Sequence, residues 1–424
     1  MDWQNNYSQF KTNSALDSLR AAELRHRAFE KFSEAGLPTK KEEAWKFTSL
    51  KPFSEVQWTV HNGEETFLTH EQMQEVSKQL PSDFHNFVFV NGVLNKTLSD
   101  DADTLFEMKE VEESDFNEDR QHVELNLLNL SQAFLNKKIN LTVTKHKNVD
   151  RPVQILFVQS SKDSVYISEK LNVVLEENSE IKLLVNSISF INSTADAMNL
   201  NVNVKCAPQS RLQFIQLQNE DTESFHFSQV QLELEATAQV SSLVLSLGNK
   251  LVRNYLSLKF LGENASANIY GLAVSDLDQH VDNYTFIQHS KGQNNSVQHY
   301  KSILSGSSHS VFRGRVLIEP DAQKANSEQL NNNLLLTRTA QADSIPQLEI
   351  FADDVKAGHG STVGQLNKDE IFYFLSRGID QYKAVKMLSY GYATELIYKF
   401  ENPELQNFLI GVLNAKLEKM VQNG

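Results

Sequence analysis

The sequence predicts a mainly β protein whose strand-rich middle is flanked by helical segments at both ends. Apolar residues recur at helical spacing near the N-terminus, residues 139–350 alternate between apolar and polar positions, and capped helices follow to the C-terminus. The pattern divides the chain into four parts: an N-terminal helical domain (1–80), a transition segment (81–138), a β core (139–360) and a C-terminal helical domain (361–424).

The composition excludes several classes of function. The 424 residues carry a formal net charge of −14, which disfavours binding to nucleic acids or to anionic membranes. No apolar run approaches the length of a membrane span, and the N-terminus lacks the basic and apolar pattern of a secretory signal. We therefore expect a cytoplasmic protein that binds neither nucleic acid nor membrane.

The chain has one cysteine, Cys206, which occupies an alternating strand position. One cysteine cannot form an internal disulfide, and it cannot supply the several thiolates that hold a structural zinc or an iron–sulfur cluster. We expect Cys206 to be a small buried hydrophobic residue. Any such metal site needs histidine, carboxylate or a second chain.

The N-terminal part predicts helix, and the transition segment after it predicts a strand and a further helix. Gly36 and Pro38 follow the first helical pattern as a stop signal. The segment Phe87–Gly92 predicts a strand that ends at a turn, and His122–Lys138 predicts an amphipathic helix. The first helical pattern rests on six apolar residues: Leu16, Leu19, Leu24, Ala28, Phe29 and Phe32.

The β core shows a loose recurrence of paired strands. Small or polar interruptions occur near residues 176, 207, 235, 262 and 305, with spacings of 31, 28, 27 and 43. Such a period is typical of a solenoid, including the β-helix, in which each coil buries its inner face on the next. A large β-sandwich fits the strand spacing equally well.

The last zone predicts three helices with clear start signals. Asn367 and Asp380 are N-cap residues of the first two, and Asn402 caps the third, with Pro403 at its first position. Seven aromatic residues lie on these helices and form either the core of a small domain or a partner surface. They are Phe372, Tyr373, Phe374, Tyr382, Tyr390, Tyr392 and Tyr398.

Few motifs carry chemistry. We find no phosphate loop and no glycine-rich dinucleotide fingerprint, so the chain has no nucleotide site of its own and any step that uses ATP belongs to another protein. Four histidines are spaced 9, 10 and 10 residues apart and form either a ladder in a solenoid or separate polar positions, which we favour: His280, His289, His299 and His309.

His359 stands apart, because Gly358 and Gly360 flank it and the acidic pair Asp353 and Asp354 precedes it. A neutral imidazole binds metals or moves protons near neutral pH. Three interpretations compete: a catalytic site, a metal ligand and a histidine in a tight turn. Adjacent strand residues point to opposite faces, which weakens the two aspartates as a catalytic couple.

The stretch "PQLEIFADDVKAGHGSTVGQL", running into "DEIFYFLSRGI", resembles the signature region of the SufB/SufD family, on its SufD branch. This family provides the scaffold subunits of SUF iron–sulfur cluster assembly. "GLPTKKEEAWKFTSL", "HVDNYTFIQHSKGQNNSVQHYKSIL" and "AQKANSEQLNNNLLLTRTA" resemble further family segments, so the likeness covers almost the whole chain.

The resemblance implies a right-handed parallel β-helix core between N- and C-terminal α-helical domains. It also implies a non-enzymatic scaffold that pairs with a SufB paralogue and docks the SufC ATPase through its C-terminal helices. A homodimer in isolation is an option that the resemblance leaves open. Candidate docking residues are Phe372, Tyr373, Arg377 and Gly378. His359 is the candidate ligand, or point where iron enters, of a transient iron–sulfur cluster shared with SufB at the subunit interface.

One residue departs from the family pattern. Family members often carry a cysteine two residues before this histidine, and Ala357 occupies that position here. The departure argues against two ligands from this segment. Two other functions stay open: a β-helix enzyme that acts on polysaccharides through Asp353 and Asp354, and a plain interaction module in which His359 has no chemical role.

Overall fold

The structure is a computed structural model. It describes residues 2–13, 18–101, 104–111, 125–191 and 195–423. Leu16 of the first predicted helix and the first residues of the predicted helix at His122 lie outside these ranges.

Helices occupy both ends of the described chain. They are α1 (Trp3–Asn13), α2 (Leu19–Ala35), α3 (Lys51–Glu55), α4 (His70–Ser77), α5 (Leu125–Ala133), α6 (Lys368–Ser376), α7 (Gln381–Ile397) and α8 (Pro403–Asn423), with a 3-10 turn at Glu43–Trp45. Helix α1 was not predicted, whereas Gly36 ends α2 as expected. Within the described chain, every helix is too short or too polar to span a lipid bilayer.

The strands fill the middle of the chain. They are β1 (Thr59–Val60), β2 (His85–Val90), β3 (Val93–Leu94), β4 (Phe106–Val111), β5 (Lys138–Val143), β6 (Val153–Ser161), β7 (Val165–Leu175), β8 (Glu180–Ile191), β9 (Asp196–Cys206), β10 (Arg211–Gln218), β11 (Phe225–Leu234), β12 (Gln239–Ser246), β13 (Leu251–Phe260), β14 (Ser266–Ser275), β15 (His280–His289), β16 (Asn295–Leu304), β17 (His309–Ile318), β18 (Asn326–Leu335), β19 (Gln341–Ile350) and β20 (Lys356–Gly364).

Successive strands from β5 onward alternate between two sheets. Sheet A contains the odd-numbered strands β5 to β19, and sheet B contains the even-numbered strands β6 to β20. Each strand pairs in parallel with the strand two places away, for example β18 with β20. This is a β-solenoid of about seven turns flanked by helices, which confirms the predicted fold class and excludes the antiparallel β-sandwich.

One corner of the solenoid repeats the same backbone conformation in every coil. Seven residues, 27 to 32 positions apart, have positive φ angles there: His146, Asn178, Gln209, Thr237, Asn264, Gln293 and Lys324. Backbone hydrogen bonds connect neighbouring corners, as from Asn178 N to Pro208 O at 3.0 Å. The interruption near residue 305 lies at the opposite corner, where Gly306 has φ of 60°. The spacing of 43 is therefore not a coil length.

Both sheets are covered on their two faces except at their last strands, β19 and β20, as parallel sheets require. The interior between them is filled by apolar residues such as Phe214, Val240 and Ile269. Aromatic residues of the N-terminal helices pack on the outer face of sheet A, and α7 and α8 bury the outer face of sheet B. The core therefore continues from the solenoid into both helical ends.

Two predicted elements differ from the structure. Among the described residues, the helix predicted over His122–Lys138 is formed at Leu125–Ala133. Its predicted end at Lys138 is wrong, because Lys138–Val143 pairs in parallel with Lys170–Leu175 as a strand of sheet A. The alternating pattern ends at residue 350, but the β core does not, because β20 follows and pairs with β18 over nine residues. The domain boundary expected at residue 360 falls inside β20.

Candidate functional site

His359 lies in the middle of β20, the last strand of sheet B. Its register partner on β18 is Gln329. Ala357, two residues earlier, packs against the interior cluster, so His359 leaves the strand on the same side because strand side chains alternate. The ring of His359 is exposed. It therefore stands at the open end of the space between the two sheets.

The tight-turn interpretation of His359 is wrong, because the residue belongs to a regular strand. Gly358 and Gly360 have ordinary φ angles, and so the backbone does not demand glycine at either position. A Cβ atom at Gly358 would have nothing within 4 Å, and one at Gly360 would come 3.2 Å from Leu330 Cδ2. The glycines leave the outer face of β20 bare beside the histidine.

The acidic pair does not join His359. Asp353 and Asp354 are exposed and precede β20, where the backbone of Asp354 bonds the corner residues Gln323 and Lys324. From Lys356 to His359 the strand alone rises roughly 10 Å. The aspartates and the imidazole therefore form no common catalytic group.

Cys206 also lies away from His359. It is a buried residue at the end of β9 in sheet A, paired with Leu175 and Leu234. Burial raises the pKa of its thiol to about 12, so the thiolate that binds metals is suppressed. Among the described residues, no three histidine, cysteine or carboxylate side chains are arranged to hold a metal ion. Within the described chain, His359 is thus at most one ligand of a larger site.

The four histidines of the predicted ladder occupy different surroundings. His280 and His309 are register partners on the outer face of sheet A, with ring centroids 4.8 Å apart. His289 lies buried on strand β15, and His299 lies on β16 of sheet B. The structure therefore brings two of the four together, and these two have different hydrogen-bond partners. His280 Nε2 shares a hydrogen bond of 2.9 Å with the Thr48 hydroxyl, and His309 Nε2 lies 2.7 Å from Asp343 Oδ2.

The four candidate docking residues lie together on α6 and the turn after it. Phe372 and Tyr373 are 69% and 57% exposed, and no residue of α6 is buried. The Arg377 guanidinium lies over the Tyr373 ring at 5.3 Å, and Gly378 ends the segment with φ of 77°. Between α6 and the solenoid lies a cavity of about 420 Å³.

The predicted N-caps Asn367, Asp380 and Asn402 are confirmed, because each side chain accepts a hydrogen bond from the first turn of its helix.

A chain of hydrogen bonds that the sequence did not reveal connects α7 to β20. The Tyr392 hydroxyl donates to the Asn332 carbonyl at 2.7 Å, and Asn332 Nδ2 donates to Thr362 Oγ1 at 2.8 Å. Lys301 Nζ donates to the Tyr392 carbonyl at 3.0 Å and also binds Glu395. We call these residues the α7–β20 link. The sequence signal was the run Asn331–Asn333 in an alternating strand.

Comparison with known proteins identifies the family. The family model "SUF system FeS cluster assembly, SufBD core domain" matches residues 157–392, and the model of the SufBD N-terminal region matches residues 3–155. The chain belongs to the SufBD family. The family model and the names of the relatives support a role of this SufBD protein in iron–sulfur cluster assembly by the SUF system.

Relatives of this SufBD protein span bacteria and plants. The chain is 29% identical to the Escherichia coli iron–sulfur cluster assembly protein SufD over 90% of both chains. It is 24% identical to a SufBD family protein of Synechocystis over 88% of this chain and 86% of the relative. It is 30% identical to a chloroplastic Arabidopsis thaliana protein over 55% of this chain and 50% of the relative.

Proposed function

We propose that this SufBD protein is a non-enzymatic scaffold subunit of cytoplasmic iron–sulfur cluster assembly. It pairs with SufB, docks the SufC ATPase and contributes His359 to a nascent-cluster site at the SufB interface. The observation that carries the proposal is the position of His359: an exposed imidazole on the edge strand β20, at the open end of the solenoid. The cluster is the cargo of this site.

The open end of the solenoid supports pairing with a second subunit. β19 and β20 end their sheets, so each presents a row of backbone groups without a neighbouring strand in the described chain. Apolar side chains also stay exposed there, with Phe351 at 64% and Val363 at 55%. Edges of this kind are templates for another chain. A paralogous solenoid offers matching strands.

The exposed aromatic face of α6 supports docking of SufC. Buried helices of this protein, such as α8, contribute leucines to the core, whereas α6 contributes none. Nucleotide-driven dimerisation of SufC would then pull on the C-terminal helices and shift the SufB interface. The α7–β20 link supplies a route for that displacement, since it joins Tyr392 of α7 to Thr362 on the strand of His359.

The lone imidazole supports a shared cluster site. Iron accepts histidine nitrogen alongside sulfur ligands. Cys206 is buried in the core and Ala357 replaces the nearby cysteine, so the described chain brings no thiolate to His359. SufB would supply the remaining ligands, including a cysteine.

The decisive experiment is His359→Ala in a complex reconstituted with SufB and SufC. We expect the complex to elute unchanged, because His359 is exposed, while bound iron and acid-labile sulfide after anaerobic assembly fall severalfold. The measurement is iron and sulfide content per complex, together with size-exclusion chromatography.

The matched control is His70→Ala, which removes an exposed histidine from the first position of α4. It should leave iron and sulfide at the wild-type level. Normal cluster content in the His359→Ala complex would contradict the ligand role and would favour a plain interaction module.

A further inference from the structure

The interior of the solenoid becomes polar towards its open end. Following the position of His359 back through sheet B, the register partners on successive strands are Gln329, Gln298, Ile269, Ser242, Phe214, Leu183 and Val153. Apolar residues dominate the early coils of this column. The two coils next to His359 carry carboxamides instead. Replacement of apolar side chains by carboxamides inside a packed core is unfavourable unless the polar groups find partners.

Gln329 is buried and without a hydrogen-bond partner. Its side chain is 1% exposed, and neither its amide nitrogen nor its oxygen bonds any group in the described chain. A buried polar group in this state costs free energy that an apolar residue of similar size would avoid. In Gln298 the amide nitrogen also has no partner in the described chain, but the oxygen accepts a hydrogen bond from Thr285 Oγ1 at 2.5 Å.

The opposite sheet makes room for the Gln329 amide. A Cβ atom on Gly314 of β17 would lie 1.9 Å from Gln329 Nε2, so the amide in its present position occupies the space that a side chain at residue 314 would fill. The amide therefore occupies the space between the sheets at the last coil. Ser344 on β19 of sheet A contributes another buried hydroxyl without a partner in the described chain.

We propose that Gln329 is a positioning residue for His359: its Oε1 accepts a hydrogen bond from one ring N–H and directs the other ring nitrogen outward to iron. The proposal rests on the proposed function, since it concerns the same ligand. Register partners in a sheet lie roughly 4.8 Å apart, within reach of a glutamine side chain. The ring of His359 is exposed in the single chain, and in the proposal it turns towards Gln329 when SufB covers the open end.

The hydrogen bond would determine which ring nitrogen binds metal. A histidine ligand usually donates its other N–H to a carbonyl or carboxylate oxygen, which fixes the tautomer and orients the ring. Loss of such a partner lowers metal affinity roughly 10- to 100-fold. Gln329 thereby gains in the assembled complex the partner that it lacks in the single chain.

The test uses the full chain, labelled with ¹⁵N-histidine, in complex with unlabelled SufB. Gln329→Met removes the amide and keeps the side-chain length, Gln329→Asn shortens the amide by one methylene, and Gln329→Glu keeps an acceptor oxygen. Gln298→Met is the control, because it alters the same column one coil further from His359. The readouts are the ring tautomer of His359 by solid-state ¹⁵N spectroscopy, assigned with His359→Ala, and Fe(II) affinity.

We expect one tautomer in the wild type, in Gln329→Glu and in Gln298→Met. We expect mixed tautomers and at least roughly tenfold weaker Fe(II) binding in Gln329→Met and Gln329→Asn. Wild-type signals in Gln329→Met would overturn the proposal. So would equal effects of Gln298→Met, or weaker binding with an unchanged tautomer, which would mean that the amide contacts the metal directly.

The two proposals fail separately. If the His359→Ala complex binds Fe(II) as the wild type does, the ligand role in the proposed function is wrong whatever the Gln329 variants show. If His359→Ala abolishes binding and the Gln329 variants leave tautomer and affinity unchanged, only the positioning role is wrong.

Discussion

His289 shows what burial does to a single ionisable residue in this core. The ring is fully buried, lies 4.6 Å from the Phe260 ring, and bonds the Ser296 hydroxyl at 2.9 Å through Nε2. Burial lowers its pKa from 6.5 to about 4. The folded state therefore keeps His289 neutral at pH values where the unfolded chain protonates it.

We expect the contribution of His289 to stability to depend on pH. Its folded pKa lies below the unfolded value, so stability is fully present above pH 6.5 and is lost as pH falls towards 4. The loss amounts to at most about 3 kcal/mol, at about 1.4 kcal/mol per pKa unit. Urea unfolding of wild type and His289→Gln is compared between pH 7.5, roughly one unit above the unfolded pKa, and pH 4.5. The difference in the free energy of unfolding between the two proteins should shrink in acid. Parallel curves would contradict this expectation.

At the scale of elements, the ends of helices could be predicted from the sequence, whereas the pairing partners of strands could not. Gly36 and the N-caps Asn367, Asp380 and Asn402 act through neighbouring backbone groups, so their short-range pattern sufficed. β20 could not be recognised, because "KAGHGSTVG" has low strand propensity. It is a strand because it pairs with β18. The two strands are far apart in the sequence, since the register partners Gln329 and His359 are thirty residues apart.

The same limit applies to the candidate site. His359 was singled out from its glycine neighbours and from the family resemblance. Gln329 was not, because its burial and its place beneath His359 exist only once the coils stack. The run Asn331–Asn333 gave a visible signal of unusual polarity, but its bond to Thr362 depends on the same stacking.

Helix α6 can be tested separately from the helices that follow it. Deleting residues 367–424 would uncover the apolar outer face of sheet B, since Leu396 and Leu409 pack there. The double variant Phe372→Ala with Tyr373→Ala avoids this disturbance. We expect it to weaken SufC binding at least roughly tenfold, because exposed aromatics are typical binding hot spots. Isothermal titration with SufC measures the change, and thermal unfolding should be unaffected.

Tyr398→Ala is the control for α6, because Tyr398 is a 55% exposed aromatic residue just after α7. It should bind SufC as the wild type does. Equal affinity of the α6 variant and this control would mean that SufC docks elsewhere.

The whole molecule is closed at one end and open at the other. Strands β2 to β4 and the N-terminal helices cover the first coils, whereas β19 and β20 end their sheets without a covering element in the described chain. Pro346 lies within β19, and proline is tolerated in strands mainly at sheet edges because it lacks an N–H donor. That residue was a sequence signal for the edge.

We expect Phe351→Lys with Val363→Lys to abolish pairing through the open end. Two lysines at exposed apolar positions introduce charge where a second chain would approach, a device that natural edges use against association. Analytical ultracentrifugation of the chain alone and with SufB should show monomers with an unchanged melting temperature. Phe67→Lys, at an 87% exposed N-terminal position, should pair normally. Persistent pairing of the double variant would place the interface elsewhere.

The alternation of strands between sheets A and B imposes a rule of parity on changes in chain length. Adding or removing one strand before β18 would transfer every later strand to the other sheet and carry His359 and Gln329 together to the opposite wall; one strand added between β18 and β20 would part them. Adding or removing two strands, one full coil, preserves the side on which each later residue stands. Shortened or lengthened versions of this solenoid will therefore keep every later residue on its present wall only when strands are added or removed in pairs.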